Sequence, residues 1–150
     1  MAIEIENSTD ELVFHKVDRQ TSHCELLFEF FQKRSKKYHI SGKKGLKYDE
    51  HKKFVEKHPY RHWFLVEFNG RYVGTLYVSY LNSIGVFLID EVIDLLPKVI
   101  QFIKKNYRPL SEIPSKRQKE FTINISPENT RFIDILNSEG FKLKQKTFII

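Results

Sequence analysis

The chain has 150 residues and a net charge of +6, with 41% hydrophobic and 14% aromatic residues. This length and composition suit one packed domain and exclude a disordered or fibrous chain. The single cysteine, Cys24, excludes an internal disulfide framework, and the longest apolar stretch, residues 84–89, is far shorter than the ~20 residues of a membrane-spanning helix. We therefore expect a single domain over residues 1–150 that is cytoplasmic, does not enter a membrane, and is a monomer or a homodimer.

The first part of the chain predicts one strand and two helices. After a ragged start over residues 1–10, a strand is expected at residues 11–17. Apolar residues then recur at helical spacing from Ser22 to about residue 34. A second, shorter helix begins near Asp49 and is stopped by Pro59.

A strongly basic segment lies across these two helices, with nine Lys and Arg within residues 33–53. One interpretation is a solvated loop, because Ser41, Gly42 and Gly45 interrupt the segment. The other is a surface for an anionic partner. Tyrosines among the bases would allow stacking on single-stranded nucleic acid, but no nucleic-acid motif accompanies them, so we do not expect nucleic acid as the partner.

The middle of the chain predicts an antiparallel hairpin followed by a central strand. Residues 63–68 and 72–80 are rich in aromatic and branched residues, and Asn69-Gly70 between them is typical of a tight turn. Residues 84–89 are apolar on both faces, as in a strand that helices cover on each side. A helix is expected at residues 95–105.

The last part predicts a strand at residues 121–125, a helix that starts within residues 126–129, and a final strand at residues 141–150. Gly140 stops the helix, as glycine commonly does just past a helix end. The predicted fold class is therefore α/β, with a mixed central sheet of about six to seven strands and helices on both faces.

Two local motifs accompany this order of elements. Residues 124–129, Asn-Ile-Ser-Pro-Glu-Asn, follow a predicted strand and open a helix, after which Gly140-Phe141 follows. Residues 68–74, Phe-Asn-Gly-Arg-Tyr-Val-Gly, cross the predicted hairpin, and residues 49–51 are Asp-Glu-His. With these motifs the chain resembles the Gcn5-related N-acetyltransferase (GNAT) family over nearly its whole length. The last two segments resemble the branches that acetylate amino-sugars on nucleotide carriers or protein N-termini.

The resemblance implies an acyl-coenzyme A N-acyltransferase fold and acetyl-coenzyme A as co-substrate. The implied reaction is acetyl transfer to a primary amine of a small molecule, such as an amino-sugar nucleotide, by direct attack of the neutral amine on the thioester. In the family the central strand splays from the next parallel strand, and the pantetheine arm of the coenzyme hydrogen-bonds into the gap. Carried onto this chain, the coenzyme-binding residues are Phe87, Leu88, Ile89, Leu95, Leu96, Asn124 and Asn129.

Backbone amides near Phe87 would, by the same resemblance, polarise the thioester carbonyl. Structural roles compete with these assignments. Asn129 could be a helix cap or turn residue, and Phe87 and Ile89 could be core residues.

Catalysis also needs a group that removes a proton from the amine before it attacks. The candidates are Glu67, His51 and Glu91, and a surface role competes for each. Arg34, with nearby lysines, could hold phosphates of the acceptor. Tyr77 and Tyr80 fall near the turn that borders the substrate cleft in the family, so the resemblance implies contact with the acceptor. Packing in the core or within the hairpin competes with this role.

The histidines give no ligand set for a metal ion. His58 and His62 are four residues apart, with Pro59 between them. No Cys or carboxylate completes a set, so we predict no metal.

The segment after the central strand departs from the family pattern. The family places an Arg or Gln and spaced glycines there, because helix-start amides must approach a diphosphate closely. Residues 90–97, Asp-Glu-Val-Ile-Asp-Leu-Leu-Pro, contain no glycine and no base, and Asp94 is expected to cap the helix itself. Leu136 stands where the family often has a proton-donating Tyr. The alternative hypothesis is therefore a catalytically impaired GNAT-fold binding module with a degenerate coenzyme A site.

Overall fold

Strands from both halves of the chain meet in one sheet. The computed structural model describes residues 2–7, 10–19, 21–33 and 47–150, and in them six strands lie side by side in the order β1 to β6. The strands are β1 (Ala2–Asn7), β2 (Asp10–Lys16), β3 (His62–Phe68), β4 (Arg71–Val78), β5 (Ser83–Leu88) and β6 (Thr122–Ile123). The helices are α1 (Thr21–Lys33), α2 (Tyr48–Lys57), α3 (Leu96–Asn106) and α4 (Thr130–Ser138), and a short 3₁₀ helix, Asp90–Leu95, leads into α3.

The strand pairing confirms the predicted α/β fold class. Strands β1 to β5 each pair antiparallel with the next one along the chain, whereas β5 and β6 pair in parallel. The predicted hairpin turns at Asn69 and Gly70, whose φ angles of 50° and 82° suit the tight turn that this dipeptide favours. Helices cover both faces of the mixed sheet, as expected for strands that are apolar on both sides.

The sheet separates two hydrophobic cores. Phe64 of β3 packs with α3 and α4 on one face, and the next residue, Leu65, packs with α1 and α2 on the other. In the first core Phe102 is fully buried, and its ring stacks on the Phe14 ring at 4.0 Å between centroids. The two cores hold the sheet rigid between its helical layers.

A β-bulge interrupts the ladder between β3 and β4. Glu67 pairs with Tyr72, and the preceding residue of β3 pairs with Gly74. Val73 is therefore the extra residue; it packs in the α3 core, while Tyr72 turns to the α1 and α2 face. A Cβ at Gly74 would lie 2.0 Å from the carbonyl oxygen of Phe87, so glycine is what allows β4 to approach β5 here.

The two ends of the chain differ from the prediction. Residues 2–7, predicted as a ragged start, form the edge strand β1, and residues 141–150, predicted as a final strand, form no strand and are all exposed. Strand β6 has only two residues, whereas residues 121–125 were predicted. A period-two pattern determines which face a side chain takes, but a strand also needs a neighbour for its backbone groups. Without the final strand, β5 lies one strand from the edge of the described sheet and not at its centre.

Candidate functional site

Strands β5 and β6 are joined at one end only. Ser83 pairs with Thr122 and Ile84 with Ile123, and the ladder ends there. The N–H of Thr122 donates to the carbonyl of Asn82 at 2.9 Å, which anchors β6 at the start of β5. Beyond Ile84 a gap therefore opens between the two parallel strands.

The edge of β5 that faces this gap carries unpaired backbone groups. Ile89 N–H donates to the Val73 carbonyl of β4 at 2.9 Å, and the Ser83 carbonyl accepts from the N–H of Ser79, the residue just after β4, at the same distance. The odd-numbered residues of β5 therefore bond to β4. Because alternate residues of an antiparallel ladder turn both groups to the same neighbour, Val86 and Leu88 turn theirs to the gap. Within the described parts of the chain neither has a backbone partner there. Of the backbone amides near Phe87 that were predicted to polarise the thioester carbonyl, those of Val86 and Leu88 face the gap.

The other residues predicted to bind the coenzyme differ in their exposure to solvent. Leu96 is 1% exposed and belongs to the first core, whereas Leu95 is only partly buried against it. Asn124 is exposed just after β6. Asn129 is the N-cap residue of α4, but its side chain makes no capping hydrogen bond. The capping role that competed for this side chain is therefore not realised.

A cluster of polar side chains lies on the α1 and α2 face, beside the bulge. The side chain of Glu67 is 24% exposed, and its carboxylate lies 3.5 Å from Nε2 of His15 on β2. The ring of Tyr72 is 5.4 Å from the His15 ring, between centroids. Burial, and then the nearby Glu67 carboxylate, raise the pKa of Tyr72. The cluster can hold a cation or accept a proton at the carboxylate.

The sequence alone did not reveal His15 and Tyr72 as partners of Glu67. Bringing the three together requires the β2–β3 register, in which His15 pairs with Leu65, and the bulge that turns Tyr72. The alternating pattern of β2 places His15 on one face of the sheet but does not identify its neighbours.

His51, the second predicted base, lies in the interior. It is 4% exposed, and its ring packs against those of Phe28 and Phe31, at 5.4 and 6.4 Å between centroids. Burial lowers the pKa of His51, opposed by a hydrogen bond with the Cys24 backbone. A base must reach the proton it removes, so this burial argues against a catalytic role for His51.

The predicted acceptor residues do not form one group with Glu67. Tyr77 stacks on Tyr60 at 3.9 Å, and it lies five residues along β4 from Tyr72, or about 16 Å. Tyr80 is 57% exposed at the turn between β4 and β5. Arg34 lies outside the described residues.

The two histidines considered for a metal have separate aromatic neighbours. His62 stacks on Tyr107 at 3.9 Å, and His58 meets the edge of Trp63 at 5.6 Å. Burial lowers the pKa of His62, and the charges of Arg61 and Lys16 add to this effect. In the part of the chain that the structure describes, no three His, Cys, Asp or Glu side chains lie close enough to hold a metal ion.

Among the helices of the described residues, none is long and apolar enough to cross a bilayer.

The fold of the chain is similar to those of several solved acetyltransferase structures. No family model and no curated protein matches the chain. One similar structure is RimL, the ribosomal L7/L12 alpha-N-protein acetyltransferase in complex with coenzyme A; it has a TM-score of 0.65 and 18% identity, over 95% of this chain and 86% of that one. A second is the acetyl transferase from Salmonella typhimurium that modifies the N-terminal serine of L7/L12, with a TM-score of 0.59 and 15% identity, over 93% and 84%.

A third is the aminoglycoside N-acetyltransferase AAC(6')-Iy in complex with coenzyme A, with a TM-score of 0.62 and 14% identity, over 97% of both chains. The chain has the GNAT fold. These three structures span nearly the whole chain, so the likeness concerns the fold as a whole.

In this GNAT fold the segment after β5 carries three acids in its 3₁₀ helix, Asp90, Glu91 and Asp94, and all three are exposed. The predicted capping by Asp94 is wrong, because the N-cap residue of α3 is Leu95 and makes no side-chain hydrogen bond. The carboxylate of Asp94 instead lies 4.0 Å from the guanidinium of Arg131 on α4. Leu136, at the position of the proton-donating Tyr, packs partly buried against the first core.

Proposed function

We propose that this protein is an N-acetyltransferase that moves the acetyl group of acetyl-coenzyme A to a primary amine. The observation that carries the proposal is the open edge of β5, where Val86 and Leu88 present unpaired backbone groups to the gap. An extended ligand with amide groups, such as the pantetheine arm, can bond such an edge as an added strand. Two of the solved structures with this fold, RimL and AAC(6')-Iy, are complexes with coenzyme A, which supports the choice of donor.

The residues around the gap fit the coenzyme. The amides of Val86 and Leu88 would bond the arm from β5 and polarise the thioester carbonyl. Asn129 and Asn124 would contact it from the segment that follows β6, and Leu95 would supply apolar contact. Leu96 is left out of the proposal, since its side chain belongs to the core.

Glu67 is the proposed general base. When bound, acetyl-coenzyme A supplies the acetyl group as a thioester. A neutral amine would attack its carbonyl carbon, the new C–N bond would replace the C–S bond, and coenzyme A would leave as a thiolate that takes a proton from solvent. Neighbouring strands lie about 4.8 Å apart, so Glu67 on β3 is roughly 10 Å from β5, too far to take a proton directly from an amine in the gap. The carboxylate therefore receives the proton through ordered water, and Nε2 of His15 lies beside it at 3.5 Å.

The proposed acceptor is a primary amine of a small molecule. The carboxylate of Glu67 favours an acceptor that arrives as an ammonium ion, because it attracts the cation and then accepts its proton. The related structures carry two acceptor classes in their names, a protein N-terminus and an aminoglycoside. An acceptor panel should therefore contain a polyamine, an aminoglycoside, an amino-sugar nucleotide and a short peptide with a free N-terminus.

The test measures release of the coenzyme thiol with this panel. At least one amine should give turnover, and Glu67→Gln should lower kcat about 100-fold, the usual scale of general-base catalysis. The matched control is Glu29→Gln, an exposed carboxylate on α1, which should leave kcat unchanged. Equal rates for wild type and Glu67→Gln would remove Glu67 from the mechanism. Coenzyme binding without turnover of any amine would overturn the enzyme proposal in favour of a binding module.

A further inference from the structure

An arginine bridges the mouth of the gap between β5 and β6. Because the two strands are parallel, the elements that follow them, the 3₁₀ helix and α4, begin at the same edge of the sheet. Arg131, in the first turn of α4, reaches the 3₁₀ helix across this mouth. Its Nη1 donates to the carbonyl of Asp90 at 3.3 Å, and its Nη2 lies 4.0 Å from Oδ1 of Asp94.

The charges at this mouth oppose the entry of an anion. Asp90, Glu91 and Asp94 are exposed and lie within one 3₁₀ helix, and glycine amides that could approach a diphosphate are missing there. Among the described residues, Arg131 is the cation with hydrogen-bond or ion-pair contacts to this helix. The planar guanidinium can bond two phosphate oxygens at once, which suits it to a diphosphate.

The contacts of Arg131 in this structure are weak enough to exchange. Its side chain is 56% exposed and that of Asp94 is 89% exposed, and solvent screens a pair of this kind strongly. Both contacts are long for a charge-assisted hydrogen bond, which normally measures about 2.7–2.9 Å. Leaving Asp94 therefore costs the guanidinium little when a doubly charged group arrives.

We propose that Arg131 is the residue that binds the diphosphate of coenzyme A, and that it leaves the Asp94 carboxylate for phosphate oxygens when the coenzyme enters the gap. The positive charge for the diphosphate then comes from α4, on the β6 side, and not from the segment after β5. Asp94 competes with the ligand for the same guanidinium. This inference rests on the proposed function, since it assumes that the gap binds coenzyme A.

The test is calorimetric titration with two probes, coenzyme A and pantetheine, which lacks the diphosphate. Arg131→Ala should weaken coenzyme A binding on the order of tenfold, the scale of one charge-assisted hydrogen bond, and leave pantetheine binding unchanged. Asp94→Asn should strengthen coenzyme A binding about threefold, because it removes the competing carboxylate. Arg131→Gln is a second variant for which the same loss is expected if Arg131→Ala does not fold.

Arg108→Ala is the matched control. Arg108 is also exposed and donates to a backbone carbonyl at 3.3 Å, but it lies at the far end of α3, about 16 Å from the mouth. The Arg108→Ala variant should bind coenzyme A and pantetheine with the same affinities as the wild type. Equal coenzyme A affinity for Arg131→Ala and wild type would overturn the role of Arg131 and leave the proposed function intact. No coenzyme A binding by the wild type would overturn both.

Discussion

The β3–β4 pair and the β5–β6 pair use the same backbone chemistry in opposite ways. The first pair has seven register partners and is covered by a core on each face, whereas the second has two and then separates. In the first pair the N–H and C=O groups hold the sheet together. In the second, the groups of Val86 and Leu88 are left for a ligand. The candidate site therefore depends on the β3–β4 pair, the dense half of the sheet, to hold the β5–β6 pair, the sparse half, in place.

The largest expected effect comes from weakening the dense half. Phe102→Ala removes a fully buried ring that stacks on Phe14, so it should lower the free energy of unfolding by about 3–5 kcal/mol. The measurement is chemical denaturation followed by circular dichroism. Phe54→Ala is the control, since that ring is 38% exposed and its loss should cost about 1 kcal/mol. Equal costs would mean that the core beneath α3 does not stabilise the sheet.

The next effect tests the anchor of the sparse half. Asn82 is fully buried, and its side chain makes hydrogen bonds of 2.8 Å to Leu110 N–H and to the carbonyls of Leu110 and Gln118. Asn82→Ala leaves these groups unpaired and puts alanine at a φ of 64°, so it should cost about 3 kcal/mol. Hydrogen exchange should also become faster in residues 109–122.

Asn82→Gly separates the two causes in this experiment. Glycine accepts the positive φ but loses the same hydrogen bonds, so it should recover about 1 kcal/mol of the loss. Unchanged exchange in residues 109–122 for both variants would show that Asn82 does not anchor β6.

A smaller effect should appear as a pH dependence of stability. The pKa of buried His51 is lower in the folded protein than in the unfolded chain, where it is near the ordinary histidine value of about 6.5. As the pH falls below this value, the unfolded state therefore binds more protons than the folded state does. The free energy of unfolding decreases as the pH falls, by at most about 1.4 kcal/mol per pH unit for one histidine.

Denaturation between about pH 7.5 and pH 5, a range that spans the ordinary histidine pKa of about 6.5, checks this sign. His51→Gln should show a shallower pH dependence than the wild type. An equal slope in the two proteins would show that His51 does not contribute to the pH dependence.

The smallest expected effect on stability comes from the rim of the gap. Asn129 makes no side-chain capping bond, so Asn129→Ala should change the free energy of unfolding by less than about 0.5 kcal/mol. If its carboxamide contacts the coenzyme, the same variant should weaken coenzyme A binding several-fold. A large loss of stability would indicate a capping role in solution.

The hairpin and the strand beside the gap were predictable from local patterns, whereas the neighbours of Glu67 were not. Asn69-Gly70 between two β-rich runs sets its own turn, and the apolar residues 84–89 need helices on both faces, so these elements follow from the sequence. The Glu67, His15 and Tyr72 cluster depends on strand register and on a bulge, which no single run of residues encodes.

Two of the wrong predictions concern the start of α3 and the end of the chain. Asp94 stands where a capping residue is common, but the chain continues through a 3₁₀ helix, so the start of α3 moves to Leu96 and the carboxylate turns to solvent. Residues 141–150 have a strand-like pattern but no paired neighbour. In the first case the start of the helix moves along the chain, and in the second the tertiary partner is missing.

The open edge of β5 has a consequence for handling the protein. Unpaired N–H and C=O groups along a hydrophobic strand can pair with a strand of another molecule, which is a common start of aggregation. A ligand that fills the gap would cover this template. We therefore expect ligand-free protein to lose solubility on storage sooner than protein kept with coenzyme A, and light scattering over time would measure the difference.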